Sequence, residues 1–372
     1  MNNVIKLLVA LFCFVAVFLT ATSLLSPDKK KSDSSLLIEK VALGREIFFD
    51  KDLSNPEGQS CTVCHAPRTM FADPRNAVIS EGMVDGRFVN RNSMTLMYTR
   101  YIPELHKDAK DEQWKGGLFW DGRSNTIEHQ LSGPFFNPAE MNNVDTAMLV
   151  SKIRNAIYFK SFKKLYGKTK SDTELYNQLI DALSAFERSE MFHPFTSKFD
   201  YFLEGKISLS ENEKKGFELA EKFCSPCHSS KPQGTDGKIL FTDYSYHNIG
   251  VPRNEWNPFY TTDSLINPHG FDAVDNGLGN FLKSDDQNGK FRVPSLRDVE
   301  YTSPYFHNGV FETLGDVLRF KSNRDIDDFD KPEVEHNLEQ THTGKMNLSD
   351  NEIHCIIDFL KALSDGYELP IE

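Results

Sequence analysis

The chain lacks any excess of positive charge. Its 42 Lys and Arg stand against 54 Asp and Glu in 372 residues, a formal net charge of −12. That balance excludes the basic footprint of a nucleic-acid binder. It suits a basic protein partner, although acidity reports solubility first. Cysteine is scarce, six in all, too few for a disulfide-built scaffold of this length. Long apolar runs are confined to the amino-terminal end, where Leu7 to about Leu19 follows a single Lys. This stretch reads as a secretory signal with Ala21-Thr22-Ser23 as a candidate cleavage site, or as an anchor helix retained from Val4 to Leu25. Residues 1–25 are therefore signal or anchor, residues 26–35 a polar tether, and the folded part is exported. What remains is 39% hydrophobic and 26% charged overall, enough to bury a core, and its length suggests two domains.

The few cysteines are not scattered. Cys61-Thr62-Val63-Cys64-His65 recurs as Cys224-Ser225-Pro226-Cys227-His228. C-x-x-C-H is the attachment signature of c-type haem. Two thiols at this spacing can each add to one vinyl group of a single porphyrin, and the following His offers a neutral imidazole to the iron. A zinc pair, a redox dithiol and a disulfide are the other readings of the cysteines; the His trailing both copies favours haem. Of the two remaining cysteines, Cys13 falls in the apolar run, and Cys355 lies on an apolar helical face as a buried thiol.

The motifs sit in a helical pattern. A helix over Leu36–Phe49 carries a stripe of Leu37, Val41, Gly44 and Phe48, and a turn-rich approach leads to the first motif. Phe71–Asn90 is a long Gly-punctuated loop, and Ser93–Tyr101 has a helical pattern. Ser124 is placed to cap a short helix over Asn125–Leu131, followed by a turn-dense Gly133–Met141. Asp145 caps a helix to about Asn155, and Thr173 opens another to about Ser189. After a boundary at Phe199–Lys206, Ser210 and Glu213 form a capping box for a helix delivering the second motif. Lys231–Lys290 is mostly loop. Ser349 and Glu352 cap a final helix whose Ile353, Ile356, Ile357 and Leu360 form its apolar face. The expected fold is mainly α: two tandem c-type cytochrome domains with long loops, residues 36–205 and 206–372, each opening on an amphipathic helix ahead of its haem motif.

With the paired motifs, several stretches resemble the bacterial di-haem cytochrome c peroxidases and the related di-haem maturation enzymes that oxidise tryptophan in a partner protein. They are Phe119-Trp120-Asp121-Gly122-Arg123, Gln130, Pro138 to Met141, Phe291 to Arg297 and Thr302 to Gly309. The resemblance covers nearly all of the chain after residue 36. It implies a peroxide reductase in which the first haem, on His65, binds hydrogen peroxide. The second, on His228, would relay electrons from a small cytochrome c or a cupredoxin. Glu140 matches the family's acid–base; a carboxyl in a mostly apolar pocket, walled here by Phe135, Phe136 and Pro138, has the raised pKa that suits it to take and return a proton. Gln130 matches a pocket residue that hydrogen-bonds peroxide or water, and Trp120 one that lies between the haems. The resemblance also implies a calcium ion, with Asn92 as side-chain ligand and Thr302 and Pro304 as carbonyl ligands. Arg292, Arg297 and His307 are candidates for haem propionates or for structural ion pairs. Pairing into homodimers and a periplasmic location follow from the same likeness.

Two positions depart from the family. Many of its members cap the first haem with a loop His, but Ser80-Glu81-Gly82-Met83-Val84-Asp85-Gly86 contains none. The first iron is then open, or Met83 caps it; the flanking glycines suggest a mobile loop and favour the open state. The second haem normally takes a Met or a Tyr, where this chain has Lys321. A Lys ligates only as the neutral amine, so a surface Lys is the plainer reading, with Met346 the other candidate.

Overall fold

Most helix starts among the described residues follow from side chains that satisfy orphan backbone donors. The computed structural model describes residues 33–169, 171–233 and 236–370. Among them ten α-helices and four two-residue strands are set in long connections. The helices are α1 (Asp33–Phe48), α2 (Ile127–Phe136), α3 (Thr146–Asn155), α4 (Phe159–Tyr166), α5 (Asp172–Glu187), α6 (Lys198–Leu203), α7 (Glu211–Phe223), α8 (Leu278–Leu282), α9 (Leu314–Asn323) and α10 (Asp350–Lys361). Asp145 caps α3 by accepting from the Met148 amide. Ser210 and Ser349 cap α7 and α10, each with a Glu at the third position closing the box.

Other starts differ from the sequence reading. Ser171, not Thr173, caps α5, and Thr126, not Ser124, caps α2. Helix α2 runs on through Pro134 to Phe136 because Leu131 and Phe135 on its face are buried, so burial outweighs the bond a proline forfeits. Ser93–Tyr101 is not an α-helix: only Thr99–Tyr101 forms a 3-10 turn. Tertiary partners take the local groups there, the Thr95 hydroxyl donating to the Met70 carbonyl and the Tyr98 amide to Phe192 O at 2.7 Å. Asp33–Ser35 belong to α1 rather than to a tether, and Leu37 is exposed, the buried face being Leu43, Gly44, Ile47 and Phe48. The signal or anchor reading, Cys13 and residues 26–32 lie outside the described residues. No described helix is long and apolar enough to cross a membrane.

Lys40–Glu372 forms one compact unit in which one helix crossing occurs twice. Gly44 of α1 lies so close to α5 that a Cβ there would collide with the Ala182 carbonyl and the Phe186 side chain. Gly216 of α7 meets α10 in the same way, against the Cys355 carbonyl and Phe359. Ala182 and Phe186, like Cys355 and Phe359, are four residues apart and therefore share a helix face. Each crossing anchors its own apolar cluster. The first holds Leu43, Ile47, Phe48, Leu179, Leu183 and Phe186 with residues of α2 and α3. The second holds Leu219, Phe241, Leu318, Ile356 and Phe359, together with Phe199 of α6. The short strands β1 (His106–Lys107) and β2 (Trp114–Lys115) pair antiparallel, as do β3 (Tyr246–His247) and β4 (Phe291–Arg292), with Tyr246 opposite Arg292.

Candidate functional site: two cysteine–histidine cavities

Each C-x-x-C-H motif folds as one tight turn. His65 N donates to Cys61 O at 2.9 Å, and His228 N to Cys224 O at 2.8 Å. Cys61, Cys64 and His65 thereby line one cavity of about 490 Å³. Cys224, Cys227 and His228 line a second, of about 200 Å³. His65 Nδ1 lies 3.0 Å from Phe71 O and His228 Nδ1 3.1 Å from Phe241 O. A carbonyl only accepts, so Nδ1 carries the proton in both rings and Nε2 keeps its lone pair, the outer-shell arrangement of a metal-binding histidine. Burial lowers the pKa of both imidazoles, that of His228 to about 3 with help from the Lys321 charge; both rings are neutral donors.

The thiols' surroundings speak against a redox dithiol. Burial raises all four thiol pKa values, those of Cys64 and Cys227 to about 11, whereas a redox dithiol needs a lowered one. Paired neutral thiols and a proton-fixed histidine on the wall of one cavity are the donor set that haem c requires, and they occur twice.

The first cavity carries an acid. Glu140 and Gln130 both line it, with Leu131, Pro134 and Phe135 as apolar walls. Phe136 instead packs on Tyr176, ring centroids 5.9 Å apart, and neither it nor Pro138 reaches the cavity. Burial raises the pKa of Glu140, and the Asn137 hydrogen bond and the Arg123 charge offset part of that rise. Asn137 Nδ2 donates to Glu140 Oε1 at 2.7 Å while its Oδ1 accepts from Ala139 N at 2.9 Å, so one turn of chain holds the carboxyl rigidly. Met83 is turned away from the cavity, its methyl packing at Gly58. The loop around it is pinned rather than mobile: Gly82 presses on the Ala139 carbonyl, Met83 N donates to Glu140 O at 2.8 Å, and Glu81 pairs with Phe88. Gly82 is there for close approach, not for freedom.

Trp120 lines both cavities, as do Asn92, Ser93 and Met94. Its Nε1 donates to Asn92 O at 2.9 Å, and its carbonyl accepts from Arg292 N at 2.9 Å. Phe119, with φ +65°, and Gly122, with φ +73°, shape the turn that presents it. Asn92, Thr302 and Pro304 all line the second cavity; Asn92 Nδ2 is spent on the Ala77 and Val78 carbonyls at 3.3 and 3.2 Å, which orients its Oδ1 away from them. Arg297 is structural, paired through both terminal nitrogens with Asp200 at 2.9 and 2.8 Å. Arg292 is buried on the second cavity wall, where its side chain donates to the Phe119 carbonyl and the Met94 sulfur and, among the described residues, forms no ion pair. His307 stacks on Phe291, ring centroids 3.6 Å apart, with Nε2 buried and short of a hydrogen bond to Glu333.

Lys321 is half-buried and lines the second cavity with His228; Met346 lies outside that cavity and packs on the second apolar cluster. Three residues of the first cavity escaped the sequence reading: Asn137, Arg123 and Glu187. Glu187 is buried, and burial pushes its pKa to about 8. Its signal was present, since it falls four residues after Leu183 on the buried face of α5.

Two haem-type cavities, one of them spacious and furnished with a buried acid, define a di-haem c-type oxidoreductase. Residues 38–208 match the family model described as di-haem cytochrome c peroxidase. The chain is 34% identical to the methylamine utilization protein MauG of Paracoccus denitrificans, over 89% of this chain and 90% of that protein. It is 27% identical to the cytochrome-c peroxidase IdrP1 of a Pseudomonas strain, over 91% and 84%. Among solved structures it resembles the diheme peroxidase BthA of Burkholderia thailandensis, with a TM-score of 0.75 and 28% identity over 88% of this chain and 86% of that one. A MauG-like protein associated with microbial copper homeostasis matches with a TM-score of 0.69 and 28% identity, over 88% and 90%. The chain belongs to the di-haem cytochrome c peroxidase and MauG family, which implies two covalently bound haem c groups.

Proposed function

We propose that this protein reduces hydrogen peroxide to water at the first cavity, with electrons entering through the second. The observation that carries this is Glu140, a buried carboxyl of raised pKa, sharing a roomy cavity with His65 while Met83 points elsewhere. Haem bound through Cys61, Cys64 and His65 supplies the metal centre and the electrons that cleave the O–O bond. Glu140 takes the proton from the inner peroxide oxygen and returns it to the outer one, so that the leaving group departs as water. Asn137 fixes the carboxyl for both transfers, and Gln130 hydrogen-bonds the bound peroxide. Leu131, Pro134 and Phe135 keep the surroundings apolar, which sustains the pKa that makes both directions feasible.

In the same reading, residues 36–205 and 206–372 are the two haem units, with Phe199 reaching ahead of the boundary into the second core. Trp120, on the wall of both cavities, assists electron passage between them. Arg292, a buried cation meeting no carboxylate among the described residues, pairs with a haem propionate. A calcium ion sits on Asn92 Oδ1 and the Thr302 and Pro304 carbonyls, with waters completing its shell. The donor is a small cytochrome c or cupredoxin, the protein is exported to the periplasm, and copies pair as homodimers. The test is peroxide consumption by the purified holoprotein with reduced cytochrome c, repeated with Glu140→Gln. Turnover in the parent and its loss in the variant support the reading; no turnover in the parent overturns it. The 34% identity to the MauG of Paracoccus denitrificans, above the 27% to IdrP1, favours a second reading, oxidation of a protein or organic substrate through the same cavity. Peroxide consumption that needs such a substrate and ignores reduced cytochrome c would establish it.

A further inference from the structure

We propose that Lys321 Nζ is the second axial ligand of the iron carried by His228, so that the second haem is held between a histidine and a lysine. This rests on the reading of the second cavity as a haem site. Leu314, Val317, Leu318 and Lys321 are spaced three, four and seven residues along α9, one face of a helix, and all four line that cavity. Three are apolar, as a porphyrin slot demands; the fourth is a cation. The neighbouring cations are neutralised, Arg319 pairing with Asp316 and Arg324 with Asp325. Lys321 has no such carboxylate among the described residues, although its charge acts directly on Cys224, Cys227 and His228. Lys321 is half-buried on a wall that also carries Asp275, Glu333 and Glu339, yet no ion pair engages it among the described residues. An iron face opposite His228 gives its nitrogen a partner. The amine gives up its proton to solvent, its lone pair forms the N–Fe bond, and no electron changes hands.

The other donors on this wall are placed less well. His247 is held by the Ser245 hydroxyl at 2.8 Å. His342 lines the cavity too but is an exposed residue. Met346 is outside the cavity. The consequence for function is directional. A thioether raises a haem's potential, whereas an amine donates charge without accepting it back and favours the ferric state. The second haem then closes to external ligands and sits at a lower potential than a histidine–methionine haem.

The test is near-infrared magnetic circular dichroism and electron paramagnetic resonance of the intact ferric holoprotein, read for axial-ligand type. One low-spin haem with a histidine–amine charge-transfer band is expected. Lys321→Ala and Lys321→Arg, the latter keeping charge and reach without a ligating lone pair, should both lose that band and let cyanide reach the second haem. Lys321→Met should replace it with a sulfur-to-iron band and raise the second haem's midpoint potential. A band unchanged in all three variants overturns the proposal, as does a bis-histidine signature that disappears in His342→Ala. A protein that binds no haem at either motif would overturn the underlying haem reading instead, and pigment content separates the two failures.

Discussion

Replacing Glu140 by Gln keeps the side chain's shape and a hydrogen-bonding partner for Asn137 while removing the group that accepts a proton. Acid–base catalysis by a positioned side chain typically contributes about 10² to 10⁴ in rate, which is about 3–5 kcal/mol of barrier at ~1.4 kcal/mol per tenfold. The variant's kcat/KM toward peroxide should fall by that range. The pH profile gives an independent check. Burial raises the Glu140 pKa, and the free protein needs the ionised form to take the first proton. So kcat/KM should climb with pH through a limb displaced above the ordinary carboxylate range and then level, and Glu140→Gln should have no such limb.

The variant should not lose activity by unfolding. A carboxyl whose folded pKa is raised contributes stability that is present at low pH and is lost as pH rises through the folded value. The neutral amide escapes that loss, so Glu140→Gln should melt no lower than the parent at neutral pH. Stopped-flow peroxide reduction at a series of pH values, normalised to haem content, reads all of this. A variant within tenfold of the parent, or one that retains the acidic limb, would refute the proton-shuttle argument.

The pinned Met83 loop predicts that the all-ferric protein binds cyanide at the first haem rapidly and without prior reduction, and that Met83→Ala leaves the rate unchanged; a low-spin, cyanide-resistant first haem in rapid-mixing spectra would contradict it. Glu187, buried beside the first cavity with a pKa near 8 against an ordinary 4.5, holds a proton that the unfolded chain has lost between those values. Parent stability should therefore fall as pH rises from about 4.5 to about 8, by an upper bound of about 5 kcal/mol, and chemical denaturation of Glu187→Gln should show a flatter profile. Gly216→Ala gains at most ~1 kcal/mol of helix propensity but drives a methyl into the Cys355 carbonyl. A net destabilisation of about 2 kcal/mol or more is expected by thermal melting, and a stabilised variant would show that the α7–α10 crossing is looser than described.

The parts of this architecture legible in the sequence are those fixed by local chemistry. The haem turns need only the five residues of each motif, and the boxes at Ser210 and Ser349 need only a hydroxyl and a Glu three positions on. Ser93–Tyr101 misled because its helical spacing was overridden by partners distant in sequence, Met70 and Phe192. The glycines of the Met83 loop misled differently. Gly82 has the composition of a flexible hinge, yet the space it vacates is filled by the Ala139 carbonyl, and nothing local distinguishes the two uses. Lys321 read as a surface residue because a single Lys usually is one. Only its stripe-mates on α9, and the cavity they share with His228, turn it inward. Glu140 was legible through likeness, but the Asn137 bond that fixes it needed the fold.

The twofold frame explains how one chain divides two duties. Gly44 and Gly216 set the same crossing, Phe71 and Phe241 carbonyls fix the same histidine tautomer, and each turn presents its thiols in the same way. Whatever distinguishes the two haems must therefore come from the walls facing the histidines. On one side the wall carries Glu140, a buried carboxyl of raised pKa fixed by Asn137. On the other an apolar helix stripe ends in an amine, beside Asp275, Glu333 and Glu339. An open iron face with such an acid favours exchangeable small oxidants; a face closed by a fixed nitrogen donor favours electrons without ligand exchange. Exchanging the two walls' chemistry tests this division. Lys321→Ala opens the second iron, but Asp275 and Glu339 on that wall have lowered pKa values, so it should gain cyanide binding there without a second site of peroxide turnover. Peroxide turnover surviving in a Glu140→Gln/Lys321→Ala double variant at the parent's rate would show that the carboxyl is not what separates the two sites.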